Sequence, residues 1–506
     1  MKASKKGGQR SFFRLITEYG ATMKRCQRGA MNVIKKTNLA MILLSLTVVF
    51  VTACGGKSSN AGSSASPAAA YSSSPSASPS ASPSAGGQDQ QAKTIRVAYG
   101  KWNETDNWGK WLAAVKQEFE AAHPGVTVEL QPIEGAQFAT KAPLLMMDPS
   151  TAPEVLTEDS FMINADSAAG YLEPLDTASW DDWKQFNDGI KAAVTAADGK
   201  TYGVPISTDV RGLYYNKVLF KQAGLPVPWQ PKNWQEIIDA AKTIKEKLPD
   251  IIPFWMNSGK AGQEATTMQT FEMLLYGTQD TLYENGKWVV QSPGILSSLQ
   301  FIHDIYSGGL GPKLSQVLTA QAGQVLETDL MPNQKVAIVL NGNWMTGTWA
   351  PTGSKPWPDA LNVYDFVKMP TQNGQPPGFT SMSGGWTLAV GAKSKEKELG
   401  WEFVKLAVNK ENNKKFVLAD GALTPRVDVA GDPEYADQPG TLFKVAAEFI
   451  TYTHVRPANS EYPGVSTQIQ DAVEKTAAGA LSPEEAMKAY ARNVERTVGK
   501  DKVTTK

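Results

Sequence analysis

The sequence predicts an α/β fold with largely parallel sheets covered on both faces. From Thr94 onward, apolar segments of strand length alternate with amphipathic stretches of helical period. No internal repeat of solenoid period is present. Both cysteines, Cys26 and Cys54, precede this region, so a disulfide is excluded there and its 413 residues must be held by apolar cores. That length is enough for two lobes of ordinary size.

The chain opens with a cationic stretch and an apolar run from Leu39 to Val51, 13 residues long. A membrane-spanning helix needs roughly 20, so the run fits a signal h-region. It ends in Val51-Thr52-Ala53-Cys54, which resembles the bacterial lipobox. That resemblance implies cleavage before Cys54, a diacylglyceryl group on its sulfur, and a lipid-anchored protein on the extracytoplasmic face of a Gram-positive cell membrane. Residues 1–53 are therefore set aside from the fold. MNVIKKTNLAMILL is a complete signal start in its own right, so translation is expected to begin at Met31, with Met23 the other candidate.

Residues 54–93 follow as a tether. Its Ser/Pro/Gly tract contains one aromatic residue, Tyr71, and has no apolar periodicity with which to offset the entropy of ordering. As a flexible coil it spans on the order of 35 Å.

Beyond it, TIRVAYG reads as a buried strand, WGKWLAAVKQEFEAAHPG as an amphipathic helix stopped at Pro124-Gly125, and VTVELQPI as the next strand. His123 is expected to be the turn residue at that helix end. Strands continue at PEVLTE, YGVPIS, VAIVLNGNW and WTLAVGA. Helices are expected at WQEIIDAAKTIKEKL and ILSSLQFIHDIYSGGL, then at KELGWEFVKLAVN, TLFKVAAEFI, QIQDAVEKTAAG and SPEEAMKAYARNVERTV. Ser482-Pro483 is a favourable helix start, with a capping serine before a proline at the first helical position.

Charge and histidine content exclude several classes. After residue 53 the chain carries 40 Lys/Arg against 49 Asp/Glu, a formal charge of −9, and no basic cluster. Nucleic acid and peripheral anionic lipid are therefore not expected partners. The three histidines, His123, His303 and His454, are scattered without ligand spacing. This excludes a Cys/His zinc site and leaves few candidates for a Ser-His-Asp triad. No cofactor or metal is expected.

The segment DGKTYGVPISTDVRGLYYNKVLFKQAGLPVP, Asp198 to Pro228, closely resembles the signature of family 1 extracellular solute-binding proteins. Pro205, Ile206, Ser207, Gly212, Leu213, Tyr214, Tyr215 and Asn216 satisfy the family pattern, and Gln222 departs from it. FEAAHPGVTVEL, APEV, GYLEPLD, KVAIVLNGNW, SGGWTLAV, GALTPR and LSPEEAMKAY resemble flanking family segments in order, over nearly all of residues 94–495.

The resemblance implies a two-lobe periplasmic-binding-protein-like fold of type II, with a ligand cleft between lobes joined by crossing hinge strands. One crossing is expected near Pro205 to Arg211 and another near Gly378 to Gly385. Lobe 1 is then 94–207 with 379–427, and lobe 2 is 208–378 with 428–500. The implied function is the monomeric, non-catalytic substrate-binding component of an ABC importer, carrying a sugar or oligosaccharide to permease transmembrane subunits.

A sugar site needs aromatic faces for C–H groups, and carboxylates, amides and arginines for hydroxyls. All 14 tryptophans lie in the folded part, and Trp102, Trp255, Trp344 and Trp386 sit at strand ends. They are the aromatic candidates, with Gly385 beside Trp386. Trp111, Trp234 and Trp401 lie on helices and are expected to pack. Asp209 and Arg211 in the first crossing offer a bidentate network. Glu158 and Asp159 follow the strand PEVLT, Asn341 lies in the NGN turn, and Arg426 and Arg456 adjoin Pro425 and Pro457. Three other readings stay open: a carbohydrate-active enzyme using Asp209 with Glu158, a sensor for a membrane receptor kinase, and the same fold with a polyamine or organic phosphate.

Overall fold

The computed structural model describes residues 92–506; Cys54, the signal-like segment and nearly all of the tether lie outside the described residues. The first strand, Lys93–Lys101, begins one residue before the expected start. It pairs in parallel with Val126–Glu134 on one side and Val155–Asp159 on the other. Between them runs the helix Asn107–Ala122, whose Gly109 N–H donates to Asp106 Oδ1 at 3.1 Å. Trp108, Trp111, Leu112, Val115 and Phe119 recur at helical spacing and are buried beneath it. His123 closes the helix as expected, its ring stacked on Phe119 at 4.0 Å.

Trp386–Val390 joins the free side of Val155–Asp159 antiparallel and then pairs antiparallel with the short strand Val204–Pro205, completing a five-stranded sheet. The second sheet has four strands, in the order Tyr364–Val367, Arg211–Asn216, Val336–Gly342, Ile252–Trp255. Its first two pairings are antiparallel and the last is parallel. The sheets are thus mixed, which corrects the expectation of largely parallel ones. Each sheet takes in strands from chain returning out of the other lobe, and such a strand needs no βαβ crossover and can enter in either direction.

The helix Trp234–Lys247 buries Trp234, Ile237, Ala240, Ala241 and Ile244, with Asn233 capping Glu236 N–H. The C-terminal helices Tyr462–Ala477 and Pro483–Val498 share a core with it and with Pro293–Ser307. Ser482 and Glu485 form a capping box at the last of these starts. Among the described residues, no helix is long and apolar enough to cross a membrane.

Two crossing segments lie side by side between the sheets. Ile206 N–H donates to Trp386 O at 2.8 Å, and Thr208 Oγ1 donates to Gly384 O at 3.1 Å. Ser381 Oγ accepts from Arg211 N–H at 2.9 Å and donates to Arg211 O at 2.8 Å. A third passage was not legible in the sequence: Thr453–Val455 pairs in parallel with Ser381–Ser383 and delivers Arg456 to the same place.

Candidate functional site

Where the crossings meet the two sheets, the chain leaves a cleft of about 680 Å³. Trp102, Glu158, Asp159, Asp209, Arg211, Trp344, Gly385, Trp386 and Arg456 all line it. They come from strand ends and crossings far apart in the sequence, and the antiparallel register of Trp386–Val390 on Val155–Asp159 sets Trp386 opposite Asp159 and Thr387 opposite Glu158.

One wall is aromatic. Trp102 stands over Trp386 with ring centroids 4.7 Å apart, and Trp108 meets Trp386 edge-on at 5.3 Å. Phe138 packs against both Trp102 and Trp386 at 5.5 Å. Trp102 nevertheless remains 42% exposed, so one face of a rigid indole is left for a ligand. Backbone space makes this possible, because a Cβ on Gly100 would lie 2.6 Å from the Trp102 ring. Trp344 is held differently, under the Arg211 guanidinium at 4.8 Å, with its ring where a Gly342 side chain would otherwise sit.

The polar wall is built from ion pairs and buried carboxyls. Arg211 pairs with Asp209 and donates to Met382 O at 3.2 Å, while Asp209 also accepts from Gly384 N–H at 2.8 Å. Arg456 donates to Asp159 Oδ1 at 2.5 Å and Oδ2 at 3.4 Å, and to Glu264 Oε2 at 3.4 Å. Burial alone would weaken that guanidinium's charge, but Asp159 and Glu264 hold its pKa above the usual value. Glu264 is itself raised by burial, against the pull of Arg456 and hydrogen bonds from Ser466 and Tyr462.

Glu158 and Asp166 are almost wholly enclosed, at 3% and 4% exposure. Burial, with Asp166 and Asp159 nearby, pushes the Glu158 carboxyl well above the usual range; burial lifts Asp166 to about 6. Glu327 and Asp420, both half-buried, are a second set of perturbed carboxyls on the lining. Burial raises Glu327 to about 7, opposed by a 2.7 Å hydrogen bond from Thr348, and raises Asp420 to about 6, opposed by a 2.8 Å bond from Trp108 Nε1.

Three of the expected site residues lie elsewhere. Trp255 is fully buried in a core with Tyr214 and Val339, because the strand Ile252–Trp255 is covered on both faces. Asn341 is buried within its strand, with Oδ1 accepting from Gly342 N–H at 2.8 Å. Arg426 is clamped between Asp182 and Asp428 over the Phe186 ring. None of the three reaches the cleft lining. Trp111 and Trp234 pack in cores as expected.

Reading the sequence missed Trp108, Phe138, Phe161, Asp166, Glu264, Glu327 and Asp420, all of which line the cleft. Trp108 sits on a helix whose periodicity points to packing, and it does pack, while its Nε1 still faces Asp420. Asp420 directly precedes the GALTPR segment, the one local signal that marked its neighbourhood.

Two mixed α/β lobes, three chain passages between them and a cleft walled by tryptophans and carboxyls define a ligand-binding protein of the type II periplasmic class. The chain belongs to the bacterial extracellular solute-binding proteins, whose family model matches residues 101–414. It is similar to the diacetylchitobiose binding protein DasA of Streptomyces coelicolor, 26% identical over 77% of this chain and 82% of that one. The multiple sugar-binding protein of Streptococcus mutans is 23% identical over 69% of this chain and 80% of its own.

Among solved structures, an ABC transporter solute binding protein of Thermotoga lettingae, bound with α-D-tagatose, superposes with a TM-score of 0.70 at 26% identity. It covers 80% of this chain and all of the other. The GacH receptor of Streptomyces glaucescens shares the fold, with a TM-score of 0.68 at 23% identity over 81% of this chain and 99% of that one.

Proposed function

We propose that this chain is the extracytoplasmic substrate-binding component of an ABC importer, that it captures a sugar or oligosaccharide in the interlobe cleft, and that it hands the closed form to permease subunits. The observation that carries this is the half-exposed Trp102 on Trp386, facing a wall of carboxyls and guanidiniums in one cavity. A flat apolar surface beside paired hydrogen-bonding groups suits a ring with C–H faces and hydroxyl edges. Relatives named for diacetylchitobiose and multiple sugars, and a neighbour holding tagatose, support the same class.

Asp209 is engaged by Arg211 and Gly384, an arrangement that suits positioning rather than general acid–base work, and the protein is read as non-catalytic. The lobes are taken as 94–207 with 379–427, and 208–378 with 428–500, turning about the crossings to close. A lipid on Cys54 would anchor the monomer to the membrane, with residues 55–93 as the tether.

Thermal-shift measurements on the mature chain with mono- and oligosaccharides test this reading, since a ligand that binds only the native state raises the melting temperature by mass action. A dose-dependent rise with a sugar, reduced in Trp386→Ala, is the expected result. No rise with any sugar would refute it.

A further inference from the structure

Glu264 lines the cleft at the start of a helical stretch that runs on to Gly277. The residue before it, Gln263, is held at φ +49° and ψ −127°, a strained conformation for a residue with a side chain and one that persists only where its surroundings impose it. Within the stretch, Thr267–Glu272 is a π turn. Residues eight apart on an α-helix point about 80° away from each other. The wider π turn takes up that difference, so Glu264 and Glu272 reach the same phenol. Tyr462 Oη lies 3.0 Å from Glu264 Oε2 and 3.0 Å from Glu272 Oε1.

A phenol carries one proton and can donate to only one of two carboxyls. The other contact is a hydrogen bond only if that carboxyl is itself protonated. The surroundings decide which one is. Glu264 also accepts from Ser466 and, at 3.4 Å, from Arg456, and its side chain is 24% exposed. Glu272 is fully buried, and its Oε2 has no partner. The charge therefore belongs on Glu264 and the proton on Glu272, which donates to Tyr462, which donates in turn to Glu264. Burial, with Glu264 nearby, accordingly lifts the Glu272 carboxyl to about 8, against Arg456, Tyr462 and Arg211. Tyr276 and Tyr490 face it as well, with His454 stacked on Tyr276 at 4.5 Å.

A carboxylate accepts about four hydrogen bonds, and the protein fills three of them at Glu264. We propose that Glu264 is an anchoring acceptor for the ligand, taking a sugar hydroxyl at its remaining position, and that Tyr462 and Glu272 are positioning residues that keep it charged and oriented. This rests on the sugar-binding reading. A hydroxyl donated to an ionised carboxylate is bound about twice as strongly as one donated to a neutral acceptor. Loss of the Glu272 proton upsets the arrangement, because two carboxylates then compete for one phenolic proton. Either Tyr462 turns away from Glu264 or Glu264 takes up a proton, and both weaken the acceptor. Affinity therefore falls as pH rises through the range in which Glu272 titrates.

The test is calorimetric titration of the mature chain at pH 6.5, 7.5 and 9, at a temperature where it is folded throughout. The probes are uncharged and do not titrate in that range: N,N′-diacetylchitobiose, D-tagatose, maltose and raffinose. The wild type should bind at least one of them, about fivefold or more weakly at pH 9 than at pH 6.5. Glu272→Gln, whose amide keeps a donor for Tyr462 and cannot lose it, should hold one affinity across the range. Glu264→Gln should bind about tenfold or more weakly than the wild type at pH 6.5, with its melting temperature showing that it is folded.

A wild-type affinity that stays level with pH would overturn the Glu264 assignment and leave the sugar reading standing. So would a fall that persists in Glu272→Gln, or a folded Glu264→Gln that binds within twofold of the wild type. Silence from every probe in the wild type would overturn the sugar reading and this assignment with it.

Discussion

Arg456 and Asp159 form a two-point ion pair, at 2.5 and 3.4 Å, between the third passage and the end of the central strand of the first sheet. The guanidinium is buried and also contacts Glu264, so one arginine ties Val155–Asp159 to the helical turn that begins at Glu264. Removing one member of such a pair costs more than the pair contributes, because the other charge is left buried. Asp159→Ala is expected to lower unfolding free energy by about 3 kcal/mol and to weaken sugar binding, with Glu264 still partly compensating Arg456. Urea denaturation and titration of one preparation check both, and an unchanged midpoint would show that the pair is not a stabilising tie.

Trp102 should separate binding from folding. Its ring is half-exposed and packs on Trp386 and Phe138 rather than filling a core. Trp102→Ala is expected to reduce affinity for the bound sugar by about tenfold while changing stability by less than about 1 kcal/mol. A large fall in melting temperature without loss of affinity would contradict its placement as a ligand platform.

Gly385 lies at φ +145°, and an added Cβ would fall 2.3 Å from Ser207 O in the neighbouring crossing. Neither segment can yield without losing the Ile206–Trp386 hydrogen bond beside it. Gly385→Ala is expected to destabilise by about 2 kcal/mol and to displace Trp386. Melting temperature and tryptophan fluorescence on ligand addition report the two effects separately.

Arg426 should behave as structure alone. It donates to Asp182 at 2.6 and 3.1 Å, to Asp428 at 2.9 and 2.8 Å and to Val408 O at 2.9 Å, with its side chain 1% exposed. Arg426→Met is expected to cost about 3 kcal/mol, since two carboxylates and a carbonyl lose their shared donor. Ligand affinity at a temperature where the variant is folded should stay within about twofold of the wild type.

Glu272 gives stability a pH dependence. It is fully buried on the helical stretch behind the cleft; burial, with Glu264 nearby, pushes its carboxyl up to about 8 from an ordinary 4.5, against Arg456, Arg211 and a 3.0 Å bond from Tyr462. Tyr276 and Tyr490 also face it. Between those two values the unfolded chain has released a proton that the folded chain retains, so stability falls as pH rises through that window. Glu272→Gln should match the wild type near pH 4.5 and exceed it by a few kcal/mol at pH 8.5. Parallel pH profiles for the two proteins would rule this out.

The α/β class and most element positions were legible from residue order, because a helix such as Asn107–Ala122 or Pro483–Val498 carries its period and its cap within its own segment. So was the gathering of Asp209, Arg211, Gly385 and Trp386, whose family-like segments mark the crossings. Trp255, Asn341 and Arg426 had the same residue types at equally suggestive strand ends and turns. Whether a strand end opens into a cleft or lies under another layer depends on what packs over it, and no local pattern carries that.

The paired carboxyls show the same boundary most clearly. Glu158 and Asp166, like Glu327 and Asp420, are unremarkable acids along the chain, and each becomes unusual through burial by other segments, with like charge nearby adding to it at Glu158 and Glu327. Local periodicity and capping, which act over a few residues, could be read from the sequence. The charge balance of the cleft is a sum over distant segments, so only their three-dimensional approach decided it.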